Sequence, residues 1–338
     1  MSYQNGTWTN PSDLLQKLAA WLVTQGWTID SSVSVLLGWR MHCHKGTAYM
    51  NFRAVCAESA ANAAFTDSYA SGNFNAIALY GGTGYASGSD WKSQPGAPLC
   101  THGTPHTVGA GMPLPAGSGI AYHFFGDATG DNIVVVAERV SGIFSNMYFG
   151  TSLVKLGAWT GGPYFGSTAD NYYLAYPYTY GYPGFTYSSY AIGSSGDSGN
   201  SSLYVKIDVD SFTNKWVQIN ANETPGCGYT GKKGCTNYPI PSVASPGQPC
   251  WMWLVNRSVS QLSAQCLLLP INIAVNRDGG LLYSVIGSIP NVLATAACFR
   301  GYAPGSVYKW GLDDYMVFPG PLNNTNNSHY GFAVKKVP

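Results

Sequence analysis

Apolar positions near the start of the chain recur at three- and four-residue intervals. Leu14, Leu15, Leu18, Trp21 and Leu22 fall on one stripe of a helix. Asn10 precedes them as an N-cap, Pro11 suits the first helical position, and Asp13 places a negative charge in the first turn. Gly26 is placed to close the segment in a left-handed conformation. The pattern predicts an amphipathic helix from about Pro11 to Gln25 with one face to bury.

Beyond the helix the period drops to two, as expected for strands with one buried face. Val33, Val35 and Leu37 share one register, Lys45-Gly46 reads as a turn, and Ala48, Met50, Phe52 and Ala54 alternate after it. Ile77 to Tyr80 reads as another strand, followed by a loop from Gly81 to Tyr85 and an irregular Gly- and Pro-rich stretch from Ala86 to Gly119. A meander comes next: strand Ile120 to Phe125, turn Gly126 to Asp131, strand Asn132 to Val140, turn Ser141-Gly142, strand Ile143 to Gly150. Strands this close in sequence pair antiparallel through short loops. Strands resume at Leu203 to Val209 and Lys215 to Ile219, and again at Leu267 to Val275 and Leu281 to Ile286. No fixed-period repeat is present, which argues against a solenoid or propeller.

The expected fold is mainly β, with antiparallel sheets in sandwich-like domains behind one N-terminal amphipathic α-helix. Its organisation reads as a helix plus β unit over 1–165, a Tyr-, Gly- and Ser-rich arm over 166–200, and a β-rich region over 201–338. The arm carries Tyr172, Tyr173, Tyr176, Tyr178, Tyr180, Tyr182 and Tyr187 with little aliphatic content, so it has no core of its own.

Composition narrows the function. Charged residues are 10% of the 338, against about 25% in an average soluble domain, while hydrophobic residues reach 45%. Such a surface is built from Ser, Thr, Asn, Gly and Tyr or is covered by other subunits. The net charge of +1 offers no electrostatic footprint for nucleic acid or an anionic membrane. The longest apolar runs, Ile133 to Ala137 and Cys266 to Leu269, are strand length and far short of a membrane span. The polar N-terminus lacks the layout of a signal peptide, so synthesis in a cytoplasm without secretion is expected. Of eight cysteines, Cys227 and Cys235 flank a turn-rich loop that one bridge could close; the rest read as small buried apolar residues.

The strongest candidate chemistry is His42-Cys43-His44 with His102 and His106. On a strand His42 and His44 share a face and Cys43 takes the other, so the histidines could ligate zinc if the loop bearing His102 and His106 met them. Nothing in the spacing demands a metal, and ordinary hydrogen-bonded or exposed histidines are the simpler reading. The acid pairs Asp127/Asp131 and Asp208/Asp210 flank turns, where capping explains them better than paired catalysis. Neither a nucleophile elbow nor a P-loop is present. No enzymatic activity and no cofactor are expected.

Three stretches together resemble a widespread group of tailed-bacteriophage virion proteins, known only as structural or tail-associated. The first is the helix ending in Gly26-Trp27-Thr28, then Lys45-Gly46 and Tyr49-Met50-Asn51-Phe52-Arg53. The second joins Tyr122-His123-Phe124-Phe125-Gly126-Asp127 to Ile133–Val136, Phe149-Gly150 and Trp159-Thr160-Gly161-Gly162. The third comprises Leu269-Pro270-Ile271, Arg277, Ile286 to Pro290 and Tyr308 to Pro319. The resemblance implies a component of the tail, neck or baseplate whose partners are copies of itself and other phage structural proteins, with no catalytic residue to carry over. Expected contact residues are Trp159, the tyrosines at 172, 173, 176, 178, 180 and 182, and the helix face of Leu14, Leu18 and Trp21, which either closes the subunit's own sheet or docks on a neighbour. The alternative is a receptor- or glycan-binding protein at the tail tip, using the aromatic arm on a host-surface glycan.

Overall fold

A computed structural model describes residues 2–59, 73–100, 106–107, 109–115, 117–167, 169–170, 203–209, 212–219, 234–236, 268–277, 282–295, 303–319 and 331–336. Among them the chain is mainly β, with one α-helix and three large antiparallel sheets.

The central sheet has seven strands in the order Ser2–Gly6, Ala121–Gly126, Asn132–Val140, Ile143–Gly150, Thr160–Ser167, Leu203–Val209 and Phe212–Ile219. Against one face lies a helix-side sheet ordered Ala169–Asp170, Ala110–Leu114, Asn73–Gly82, Ala48–Ser59, Gly38–Lys45, Thr28–Val35. Against the other lies a C-terminal sheet ordered Gly234–Thr236, Leu268–Arg277, Leu282–Thr295, Gly331–Lys336, Asp313–Pro319, Val307–Trp310, with the short strand Val154–Lys155 also pairing onto Leu282–Thr295. The central sheet takes strands from both sides of the 166–200 arm, so the expected units 1–165 and 201–338 share a sheet instead of forming separate ones.

Burial on both faces explains the unbroken apolar run in the middle of the chain. Ile133, Val135 and Ala137 enter the core shared with the helix-side sheet, while Val134 and Val136 enter the core shared with the C-terminal sheet. The neighbouring strand divides in the same way, with Met147 and Phe149 to one side and Phe144 and Tyr148 to the other. A strand with no solvent face has no polar positions to alternate with.

The helix forms at Pro11–Thr24, and its caps are those the sequence predicts. The Asn10 side chain accepts from the Asp13 amide at 2.9 Å, and the Asp13 carboxylate accepts from the Thr9 amide at 2.9 Å. At the far end Gly26 (φ +79°) donates to the Val23 carbonyl and Trp27 to the Leu22 carbonyl, a Schellman closure. Leu14, Leu18 and Trp21 are buried against the chain's own helix-side sheet and central strands. Of the two fates open to that face, closing the subunit's own core is the one observed. The Trp27 indole then donates to the Gly130 carbonyl at 2.8 Å, tying the helix end to the central-sheet turn.

Three departures from the expected elements have physical causes. Trp159 to Gly162 reads as a turn, yet Thr160–Ser167 is a strand whose register slips between Gly161 and Tyr164; both glycines hold positive φ there, a bulge that bends the strand. The strand starting near Leu281 runs on to Thr295 because Pro290 and Asn291 (φ +61°) fall where the pairing skips residues, so no ladder amide is missed. Ser2–Gly6 adds an edge strand to the central sheet through pairing with Ala121–Gly126.

Candidate functional site

Alternation on Gly38–Lys45 sorts the chemistry of its first motif. Met41 and Cys43 point into the core, and burial pushes the Cys43 thiol up, away from the thiolate. Arg40, His42 and His44 share the outer face. His42 does not meet His44. Its Nδ1 lies 2.6 Å from Asn51 Oδ1, whereas His44 Nδ1 lies 2.9 Å from both oxygens of Asp30, with its ring stacked on Tyr49. His102 and the side chain of His106 lie outside the described residues. Among the described residues no group of three or more His, Cys, Asp or Glu side chains is placed to hold a metal ion.

His42, Asn51 and Tyr80 are register partners on three adjacent strands and form one row across the sheet. A strap, residues 83–97, covers that row. Tyr85 packs on the His42 ring at 5.1 Å and Trp91 on Tyr80 at 5.1 Å. Gln94 ties the strap together. The Gln94 amide donates to the Ala86, Ser89 and Asp90 carbonyls and its oxygen accepts from the Ala86 amide. Thr83 N–H donates to the Pro95 carbonyl at its neck, and the Asp90 carboxylate caps the Trp91 amide.

Beneath the strap His42, Asn51 and Tyr80 are each 1% exposed. Burial holds His42 below the usual histidine range; Arg40 pushes the same way, while the Asn51 hydrogen bond and the carboxylates of Asp30 and Asp90 oppose it. Burial also drives Tyr80 far above the usual phenol range. Three buried atoms on this outer face meet no hydrogen-bond partner in good geometry: Arg40 Nε, His42 Nε2 and the Tyr80 hydroxyl, which the Gln94 backbone amide approaches. Each group left so costs about 1–3 kcal/mol, so three together rival the roughly 5–15 kcal/mol that holds a typical domain folded. Sequence periodicity put His42 on this face, but Asn51, Tyr80 and the strap reach it only through pairings distant along the chain.

Asp127 and Asp131 cap their turn as expected, whereas Asp208 bonds across strands and Asp210 lies outside the described residues. Asp127 accepts from the Asp131 amide, Thr129 and Asn132, and Asp131 accepts from Thr129 and pairs with Lys45 at 3.1 Å. Asp208 accepts from the Thr160 hydroxyl at 3.0 Å.

Exposed apolar side chains gather at three places. At the tip of hairpin Thr28–Val35/Gly38–Lys45, on the outer edge of the helix-side sheet, stand Val33, Leu36 (81% exposed) and Leu37. The tip is braced from below: Arg53 donates to the Leu36 and Ala54 carbonyls, and Cys56 N–H donates to the Leu37 carbonyl. At the edge of the C-terminal sheet, Val307, Trp310 and Leu312 (98% exposed) mark a second hairpin. The third group, Val154, Leu156 and Val285, lies where Val154–Lys155 joins the C-terminal sheet. Trp159 borders it, half-buried, with its indole donating to the Ile286 carbonyl at 3.0 Å and Lys155 Nζ 4.8 Å from its ring. The arm tyrosines Tyr172, Tyr173, Tyr176, Tyr178, Tyr180 and Tyr182 and the Cys227–Cys235 loop lie outside the described residues, except the backbone of Cys235 in Gly234–Thr236. The free cysteines among the described residues are Cys43 and Cys56.

No helix among the described residues is long and apolar enough to cross a membrane. No family model matches the chain, and no curated protein matches it.

Proposed function

We propose that this chain is a structural subunit of a tailed-phage particle, built into the tail, neck or baseplate by contacts with copies of itself and with neighbouring particle proteins. The observation that carries the reading is the placement of exposed apolar side chains at hairpin ends on open sheet edges, Leu36-Leu37 and Trp310–Leu312, in a chain with 10% charged residues. Soluble monomers blunt such edges with charge, and contiguous apolar surface marks contact sites. The Trp159 border of the Val154, Leu156 and Val285 group is a further contact surface of the same kind. The mechanism is passive: shape and buried apolar area hold neighbours in register.

The test is native mass spectrometry with negative-stain imaging of the full chain and of Leu312→Asp. A symmetric ring that the variant dissociates is the expected result. A monomer at every concentration that also fails to join particles assembled from its neighbours would overturn the reading.

A further inference from the structure

We propose that His42 and Tyr80 beneath the strap, with Arg40 two residues along the strand on the same face, form a binding site for a small hydroxyl-bearing molecule, either a polyol or a single sugar unit. The site is independent of the assembly reading.

The unmet hydrogen bonds define the ligand. The partner of His42 Nδ1 is a carbonyl oxygen, Asn51 Oδ1, so Nδ1 carries the proton and the buried Nε2 presents a lone pair. Arg40 Nε–H is a donor without an acceptor. The Tyr80 hydroxyl lies beside the Gln94 backbone amide, which is itself a donor and cannot take the hydroxyl proton. The row therefore asks for one donor and two acceptors at once. Hydroxyl groups supply both.

Charge excludes the other simple classes. The His42 ring and the Tyr80 hydroxyl lie in the fields of Arg40 and Asp90, and His42 also in that of Asp30. One guanidinium against two carboxylates leaves no net positive field to hold an anion, and a cation offers the Arg40 Nε–H no acceptor. A neutral ligand fits. Tyr85 and Trp91 flank the row with flat aromatic surfaces, which suit the C–H faces of a sugar ring or a short carbon chain.

Entry is provided by the strap. Because Gln94 and the Thr83–Pro95 bond tie the strap to itself, it keeps its shape when lifted, as compact surface loops with close ends do. Lifting it breaks the ring contacts on His42 and Tyr80 and draws the Gln94 amide away from the Tyr80 hydroxyl.

The experiment is titration calorimetry of the full chain with glycerol and, separately, with methyl α-D-glucopyranoside, on wild type, Tyr80→Phe and Arg40→Lys. Tyr80→Phe removes one hydroxyl, and Arg40→Lys keeps the charge but removes Nε–H; circular dichroism checks that both fold. The expected result is saturable binding of one molecule per chain, weakened about tenfold or more in each variant, the loss that one buried hydrogen bond represents. Saturation by glycerol alone identifies a polyol site, and by the glucoside alone a sugar site. No saturable heat with either probe would show that water alone fills the row and overturn the proposal, as would binding that both folded variants leave unchanged.

Discussion

The central sheet and the helix-side sheet are built from strands of similar length, yet they can do different things. The central sheet is packed on both faces, and its side chains divide between two cores. The helix-side sheet has one packed face, carrying Met41, Cys43, Met50 and Phe52, and a second face carrying Arg40, His42, His44, Asn51 and Arg53. A layer enclosed on both sides can only hold the molecule together. Polar chemistry collects on the outer layers, where one side of each strand is released from packing.

The comparison is broken most severely by emptying the central layer. Phe149 meets Trp27 edge-on at 5.3 Å from one side and Phe52 at 5.3 Å from another, and is fully buried. Phe149→Ala is expected to cost about 3–5 kcal/mol, read as a lower denaturation midpoint. A loss under about 1 kcal/mol would mean that the core shared with the helix-side sheet is not filled as described.

His123 is one exception within the central layer, an imidazole facing the C-terminal sheet. It contacts the Tyr3 hydroxyl through Nδ1 at 2.8 Å, lies against Phe125 and Phe318, and has Lys336 nearby. Burial, helped by the Lys336 charge, pushes it down from 6.5 to about 4. The unfolded chain then binds the extra proton between these values, so the stability is present above about pH 6.5 and is lost as pH falls towards 4. At about 1.4 kcal/mol per pH unit the loss approaches 3 kcal/mol. His42 is depressed in the same direction, so the measurement is the difference between wild type and His123→Asn across that window. An unchanged slope in the variant would sink the assignment.

These two regions also differ in how far they could be read from the residues. The helix and the strands Asn132–Val140, Ile143–Gly150 and Leu203–Val209 announce themselves through local signals: caps, turn glycines and apolar runs. The parity of Gly38–Lys45 placed His42 and His44 together on one face, and there legibility stops. Asp30, Asn51, Tyr80 and residues 83–97 determine what those histidines touch, and they arrive through register across four strands and a loop without periodicity. Strands went unread where the local chemistry points elsewhere: Ala110–Leu114 within a Gly- and Pro-rich stretch, Gly161-Gly162 at a bulge, and Pro290-Asn291 at a pairing gap. The Leu36-Leu37 turn belongs with them, since no turn-forming residue marks it.

Smaller effects sharpen the contrast at its edges. Asn10→Ala removes the cap that holds the helix over the helix-side core and is expected to cost about 1 kcal/mol. A cost near zero in thermal denaturation would show that packing of Leu14 and Leu18 alone sets the helix start.

The smallest change is the most informative about the outer edge. Leu37 holds φ +56°, a left-handed conformation that disfavours a branched apolar side chain, at the tip that exposes Leu36. A glycine there would adopt the conformation without a Cβ clash, although its greater freedom in the unfolded chain offsets part of the gain. Leu37→Gly is therefore expected to leave the subunit's stability unchanged or raise it by up to about 1 kcal/mol. If the strained leucine is kept for contact with a neighbour, the same variant weakens the assembled ring while the isolated subunit melts no lower. Ring stability by native mass spectrometry, set beside the melting of the subunit, separates the two. A variant that is more stable and assembles as well as wild type would remove the Leu36-Leu37 tip from the contact surface and leave Trp310–Leu312 and the Trp159 border to hold the neighbours.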